Sequence, residues 1–308
     1  MKKIVTVVGP TACGKTEYAI EIAKKLNGEI VSCDSMQLYK YMDIGSAKPS
    51  LEQRVKVKHY LVDEIDPKTP FSVAEYQKSA KKAIREIFNK SKIPIIVGGT
   101  GLYLNSLIYE MDFADTVIDQ DFRDKMYKTA EENGSEVLYK KLIEQDPVTA
   151  KRIHPNNIKR VIRALEACKD GKRIKSFDNV KTKTKDYEVI LTGLKMNRDK
   201  LYNRINDRVD ILIDMGLDRE VKSLIDMGFT SDDISMKGIG YKELIDYFEG
   251  KCSFDEAVIR IKTNTRHYAK RQITWFKRYS DMKWFDVTDE SNKENSISIM
   301  TKWIKERL

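Results

Sequence analysis

Gly9-Pro10-Thr11-Ala12-Cys13-Gly14-Lys15-Thr16 has the spacing G-x-x-x-x-G-K-[ST], and those residue types at those intervals bind polyphosphate. Glycines let backbone N–H groups turn inward around phosphate oxygens, and a helix start adds partial positive charge. Lys15 adds a full positive charge, and the Thr16 hydroxyl is of a kind that ligands Mg²⁺. A loop of this ATP-binding type holds phosphates without saying what is done with them. Phosphate-transferring relatives normally steady Mg²⁺ with an acid at the end of another strand. Here the strand Pro94-Ile95-Ile96-Val97 runs into Gly98-Gly99-Thr100-Gly101, where no acid stands. The acid in a comparable position is Asp34, which closes the run Ile30-Val31-Ser32-Cys33. Its residue type suits a metal orienter, a general base or a helix N-cap, and the sequence leaves all three open.

A second chemistry is written in charge. Between Val258 and Ser280 stand seven Lys or Arg (Arg260, Lys262, Arg266, Lys270, Arg271, Lys277, Arg278) and no Asp or Glu. Arg266, Lys270 and Lys277 share one helical face, while His267, Arg271, Thr274 and Arg278 share its neighbour. Tyr268, Trp275 and Phe276 are interleaved, so the segment could neutralise phosphates and offer stacking planes to bases. The plainer reading is a solvated helix with its aromatics in the core. The unbroken absence of acids favours nucleic acid, as does a second basic segment, Lys159-Arg160-Val161-Ile162-Arg163, with Lys151 and Arg152 upstream. His59 and His154 have no second His or Cys at ligand spacing, so neither suggests a metal.

The elements that must position these groups read as an α/β fold. Ile4 to Val8 is a β-branched run typical of a strand buried on both faces, and Ala19, Ile22, Ala23 and Leu26 follow at helical spacing. Glu29 to Cys33 is a second strand. Ser72-Val73-Ala74-Glu75 is a capping box opening a helix whose apolar face is Ala80, Ala83, Ile84, Ile87 and Phe88, and Pro94 to Val97 is a third strand. This alternation predicts a P-loop NTPase-like parallel sheet flanked by helices, with ligands at the carboxyl ends of its strands. Residues 112–186 change character. Charged helices are expected over Asp121–Glu132, Ser135–Gln145 and Asn156–Lys169, then a lysine-rich stretch from Lys181 and a strand from Tyr187 to Leu191. We therefore expect a core domain in two parts, residues 1–111 and 187–308, interrupted by a helical insertion at 112–186. Leu201, Ile205, Val209 and Leu212 form one further stripe, and Ser253-Phe254-Asp255-Glu256 opens a long helix towards Tyr279.

The chain has 308 residues, 33% of them charged, and a net charge of +9, which suits an acidic partner. No apolar stretch approaches the roughly 20 residues that cross a bilayer, so no membrane partner is expected. The N-terminal run leads straight into the glycine loop and reads as a strand rather than a signal peptide. Cys13, Cys33, Cys168 and Cys252 are far apart, which predicts free thiols and a cytoplasmic home.

Several further motifs, taken in order, make the chain resemble the bacterial tRNA dimethylallyltransferases, also called tRNA isopentenyl transferases. Asp34-Ser35-Met36-Gln37 and Asp43-Ile44-Gly45-Ser46-Ala47-Lys48-Pro49 look like that family's D-S-M-Q and D-I-G-T-A-K-P blocks. Gly98-Gly99-Thr100-Gly101-Leu102-Tyr103 matches its G-G-T-G-L-Y. Arg152-Ile153-His154-Pro155-Asn156, Gly238-Ile239-Gly240-Tyr241-Lys242-Glu243 and Ala269-Lys270-Arg271-Gln272-Ile273-Thr274-Trp275-Phe276 complete the set. The likeness runs from Gly9 to about Trp284. It departs at Cys13 (usually serine), Ser46 (usually threonine), Tyr60 (second histidine of a frequent pair), Asn157 (aspartate) and Gly238 (commonly alanine).

The resemblance implies a reaction and a site. A dimethylallyl group would pass from dimethylallyl diphosphate to N6 of the adenine just 3′ of the tRNA anticodon, releasing diphosphate. It implies that Asp34 is the general base, with Lys15 and Thr16 also catalytic and Thr16 the Mg²⁺ ligand. Gly9, Pro10, Thr11, Ala12, Cys13, Gly14, Lys15 and Thr16 would hold the diphosphate. It carries tRNA contacts over to Asp34, Ser35, Met36, Gln37, Thr100 and Arg123. To these it adds Lys159, Arg160, Arg163, Lys237, Gly238, Tyr241 and Lys242, and on the basic helix Lys270, Arg271, Gln272, Thr274, Trp275 and Lys277. The implied partner is the anticodon stem-loop, and the chain is expected to act as a monomer. A small-molecule or nucleotide kinase and an RNA-binding NTPase are the rival readings. The missing acid after Val97 and the basic helix oppose the first, and no hydrolysis apparatus is visible for the second. A prenyltransferase of free adenylate would have little use for the charged insertion.

Overall fold

A computed structural model of the chain describes residues 1–111, 119–171 and 182–308. The chain forms two compact units, one made of Met1–Ile108 with Thr184–Leu308 and the other of Tyr109–Lys183. The expected boundary at residue 112 and the start of the lysine-rich stretch at Lys181 lie outside the described residues.

The first unit is built on β1 (Lys3–Val8), whose Ile4, Val5, Val7 and Val8 are wholly buried, as a strand covered on both faces requires. It leads through the glycine loop into α1 (Lys15–Leu26), then β2 (Gly28–Cys33), the short α2 (Leu51–Lys56) and the two-residue β3 (His59–Tyr60). α3 (Val73–Asn89) opens with the capping box expected from its sequence. Glu75 N donates to Ser72 Oγ at 3.2 Å and Ser72 N to Glu75 Oε2 at 2.5 Å. β4 (Ile93–Gly98) and α4 (Gly101–Ile108) finish this half.

The second unit holds α5 (Gln120–Asn133), α6 (Ser135–Gln145), the single turn α7 (Pro147–Ala150) and α8 (Ile158–Lys169). Met126, Leu138, Leu142, Val161, Ile162 and Leu165 form its own core. Asn157, where the resembled family has aspartate, caps α8 by accepting from Arg160 N at 3.3 Å, so the amide does what a carboxylate would.

The chain then returns to the first unit as β5 (Glu188–Ile190), β6 (Thr192–Lys195), α9 (Arg198–Asp214), α10 (Leu217–Asp226), α11 (Tyr241–Phe248), α12 (Phe254–Phe276), β7 (Lys283–Asp286) and α13 (Lys293–Lys305). Among the described residues the sheet has seven strands, ordered β3-β2-β4-β1-β6-β7, with β5 also paired to β1, and all pairs are parallel. The α/β class expected from the alternating pattern is the class observed. Three strands differ from expectation. β3 has two residues, β7 buries only Phe285, and β6 follows the strand expected over Tyr187–Leu191, which itself shortens to β5. None carries the apolar run or alternation that marks a strand in sequence. Tyr187, just before β5, donates from its hydroxyl to Leu107 O at 3.1 Å.

Register brings the glycine loop and the other motifs together. Gly98 at the end of β4 lies opposite both Val8, the last residue of β1, and Cys33, the last of β2. Residues following these three strands therefore emerge at one edge of the sheet. A Cβ at Gly98 would sit 2.1 Å from Cys33 O, so only glycine allows this closeness. Among the described residues no helix is long and apolar enough to cross a membrane, and none of the four cysteines forms a disulfide.

Candidate active site

The glycine loop leaves β1 with Gly9 at φ 153°, where a Cβ would stand 2.7 Å from Leu194 O. Ala12 (φ 63°) and Gly14 (φ 85°) take left-handed conformations, which turn the backbone into a cradle before α1 begins. Lys15 Nζ donates to Pro10 O at 2.7 Å. Burial lowers the Lys15 pKa, the negative charge of Asp34 works against that fall, and the positive charge of Arg208 adds to it. Cys13 is buried, and that burial raises its thiol pKa, so it fills space as serine would without offering a thiolate.

Asp34 follows β2 and is half-buried. Its Oδ1 accepts from Met36 N at 2.9 Å, a local turn that fixes the carboxylate while leaving Oδ2 uncommitted among the described residues. Thr100 braces the same turn from β4. Its N–H donates to Cys33 O at 3.0 Å, and its Oγ1 accepts from Ser35 N at 3.1 Å. Gln37 accepts from Ser32 Oγ at 3.2 Å and donates to Ala47 O at 3.3 Å. Below, the Tyr76 and Tyr103 rings stack with centroids 3.8 Å apart.

α12 closes the site from the side and explains the glycines of Gly98-Gly99-Thr100-Gly101. Thr11 N donates to Gln272 Oε1 at 2.8 Å, and Gln272 Nε2 donates to Gly99 O at 3.1 Å. One buried amide thus joins the phosphate loop to the end of β4. A Cβ at Gly99 would meet Gln272 Nε2 at 2.0 Å, and one at Gly101 would meet the Trp275 ring at 2.2 Å. Tyr268 sits in the same layer. Burial raises its pKa, and the nearby Asp34 charge raises it further.

The residues carried over as tRNA contacts fall into two groups. Lys159, Arg160 and Arg163 on α8, Lys237 and Lys242 by α11, Lys270, Arg271 and Thr274 on α12, and Lys277 at its C-cap are exposed. Arg123, Tyr241 and Gln272 are committed inside the chain. The Arg123 guanidinium grips buried Glu166 through two hydrogen bonds, at 2.9 and 2.7 Å. Tyr241 is fully buried and donates to Glu220 Oε1 at 2.8 Å. Trp275 is half-buried with Arg278 over its ring, and Gly238 lies against Met36. The basic face of α12 is also shorter than the sequence implied. Lys262 pairs with Asp210 at 2.6 Å and Arg266 bonds Asn206 at 2.6 Å, so both are spent on α9. The burial of Gln272 has a sequence signal, since it continues the inward stripe of Ile261, Ala269 and Phe276.

Sequence reasoning missed Arg208. It stands on α9 beside the buried stripe Leu201, Ile205 and Val209, and no hydrogen bond or ion pair engages it among the described residues. Burial lowers its pKa, and the negative charge of Asp34 opposes that fall. Its signal was Arg204 and Arg208, four apart along one flank of that stripe. Among the described residues no group of three His, Cys, Asp or Glu could hold a metal. Among the described residues Thr16 makes no hydrogen bond through its hydroxyl, so its oxygen could ligand a Mg²⁺ held chiefly by phosphate oxygens and water.

Comparison with known proteins gives a single picture. A family model described as IPP transferase matches residues 37–279. The tRNA dimethylallyltransferase of Clostridioides difficile (strain 630) is 50% identical over 310 residues, covering 100% of both chains. That of Alkaliphilus metalliredigens (strain QYMF) is 50% identical over 98% of this chain and 96% of the relative. Among solved structures, the full-length tRNA isopentenylpyrophosphate transferase of Bacillus halodurans has a TM-score of 0.75 at 42% identity, covering 99% of this chain and 96% of that one. A eukaryotic dimethylallyltransferase acting on tRNA has a TM-score of 0.84 at 30% identity, covering 99% of this chain and 80% of that one.

Proposed function

The chain belongs to the IPP transferase family, the tRNA dimethylallyltransferases, and on that premise we propose a specific reaction at the site just described. The dimethylallyl group of dimethylallyl diphosphate passes to N6 of the adenine 3′ of the anticodon, and diphosphate leaves. The observation that carries this reading is that register brings Asp34, after β2, and the phosphate loop with Lys15, after β1, to one sheet edge, where β4 offers no acid of its own.

The exocyclic amine of adenine is a weak nucleophile because its lone pair is delocalised into the ring. As the N6–carbon bond forms and the carbon–oxygen bond to diphosphate breaks, Asp34 accepts the N6 proton. The leaving diphosphate gains negative charge, which the loop amides, Lys15 and Arg208 are arranged to stabilise. Diphosphate near Lys15 also opposes the effect of burial on its pKa and keeps the ammonium charged. Mg²⁺, held by Thr16 and the diphosphate, would neutralise further charge there. The target base must leave its stack to reach Asp34. Exposed cations on α8 and α12, with the helical unit that carries α8, serve the anticodon stem-loop in this reading. In this reading the enzyme acts as a monomer in the cytoplasm, where cysteines without disulfides are at home.

The test supplies Mg²⁺, labelled dimethylallyl diphosphate and tRNA lacking the modification, with ATP as a competing donor. Label in the RNA is expected; label entering only from ATP would overturn the proposal. Asp34→Ala should lower transfer by about 10²–10⁴-fold with tRNA binding retained, and normal turnover in that variant would remove Asp34 as base.

A further inference from the structure

We propose that Glu220 is a positioning residue for the transfer reaction, holding the chain segment that carries Asp34 through the loop at residues 43–47. This rests on the reading of Asp34 as general base. Glu220 stands on α10, and its carboxylate collects four donors. Oε2 accepts from Asp43 N at 2.8 Å and Ile44 N at 2.7 Å, and Oε1 accepts from Gly45 N at 3.0 Å and Tyr241 Oη at 2.8 Å. Three successive backbone N–H groups aimed at one point form a nest that calls for an anion, and Glu220 is that anion. A carboxamide there would turn one of its ends into a donor facing donors.

The loop so held is bent and closely backed. Ala47 takes φ 47°, its N–H donates to Ile44 O at 2.9 Å, and a Cβ at Gly45 would lie 2.5 Å from the Tyr241 ring. Its link to the site is direct. Ala47 O accepts from Gln37 Nε2 at 3.3 Å, and Gln37 Oε1 accepts from Ser32 Oγ on β2. Gln37 and Ser32 flank Asp34 on either side. Met36, whose N–H holds the Asp34 carboxylate, packs its side chain against Gly238, one turn from Tyr241. Glu220 therefore fixes the far end of a chain of contacts whose near end is the base. The phosphate loop, with Lys15 and Thr16, is carried by β1 and α1, and no hydrogen bond among the described residues joins it to residues 43–47.

In the full-length enzyme, Glu220→Gln should lower kcat about tenfold to a hundredfold, the cost of a base displaced by a fraction of an ångström to an ångström. KM for dimethylallyl diphosphate should stay within about twofold, because uniform binding is untouched. The deciding measurement repeats the substitution in an Asp34→Asn background under single-turnover conditions. With no base left to position, Glu220→Gln should change the residual rate by less than about twofold. An equal fold-loss in both backgrounds would make Glu220 a general staple of the fold and overturn the proposal, as would an unchanged kcat. If circular dichroism shows Glu220→Gln unfolded, Tyr241→Phe, which removes one donor of the four, carries the same cycle with about a threefold loss expected. Full transfer by Asp34→Asn alone would refute the base reading itself and the positioning role with it.

Discussion

Arg208 shows how a single residue can matter to a site and yet escape notice in a sequence. The residue is half-buried, engages no carboxylate among the described residues and feels the charge of Asp34. A cation kept without a partner near the proposed diphosphate site is suited to the leaving group of the proposed reaction. Arg208→Ala should raise KM for dimethylallyl diphosphate about tenfold to a hundredfold, matching the roughly 1.5–3 kcal/mol of a charged hydrogen bond. Steady-state kinetics at saturating tRNA would show it, and an unchanged KM would remove Arg208 from the site. The glycine loop and Asp34 were legible because their meaning lies in contiguous residues at the end of a strand. Arg208 was not, because its meaning depends on where α9 packs. Gln272 was grouped with its charged neighbours for the same reason, although its amide faces inward to Thr11 and Gly99.

At the scale of elements, two buried carboxylates hold strands and helices in place. Glu29 on β2 accepts from Tyr60 Oη on β3 at 2.9 Å and from Lys92 at 2.8 Å, with Lys90 at 3.3 Å. This is the work of Tyr60, the departure from the resembled histidine pair. Its hydroxyl reaches both Glu29 and Glu86, and burial first among its surroundings pushes its pKa up to about 12, so it remains a donor. Tyr60→Phe should cost about 1–2 kcal/mol in stability, read by urea unfolding. Burial pushes the Glu29 pKa up, but its bonds to Lys92, Tyr60 and Lys90 outweigh this and hold it below the usual carboxylate value. Its ionised form therefore stabilises the fold above pH about 4.3 and that contribution is lost as pH falls through the folded-state value. Glu29→Gln should flatten the acid limb of a Tm–pH profile, and an unaltered limb would refute the assignment. In the helical unit Glu166 plays the corresponding part with Arg123. Arg123→Ala leaves a buried carboxylate unpaired and should destabilise that unit by about 3 kcal/mol, seen as faster amide exchange in α5 and α8.

For the molecule as a whole, charge and topology were legible to different depths. The parallel sheet followed from alternating strand and helix patterns, and α5, α6 and α8 of the second unit, though not the single turn α7, followed from a charged helical pattern. The short strands β3, β6 and β7 were hidden, because their pairing is set by neighbours rather than by their own residues. The net charge of +9 pointed to an acidic partner, but only the structure divides exposed Lys270, Arg271 and Lys277 from Lys262 and Arg266, which are bound to α9. Arg271→Ala should weaken tRNA binding and reduce the slope of log affinity against log salt by about 0.7–0.9. An unchanged slope would take α12 out of the RNA surface. Lys262→Ala should leave that slope alone and act on stability only.

The fit of Gly101 against Trp275 also constrains how such a sequence can drift. A methyl group at position 101 would lie 2.2 Å from the indole, so alanine is barred there while tryptophan remains. A smaller side chain at position 275 would lift that bar, yet would open a hollow at the side of the site until position 101 filled it. The two positions are therefore locked in sequence order: any lineage leaving this pair must first pass through an underpacked intermediate at 275, and the motif around Gly101 persists for want of an easy first step.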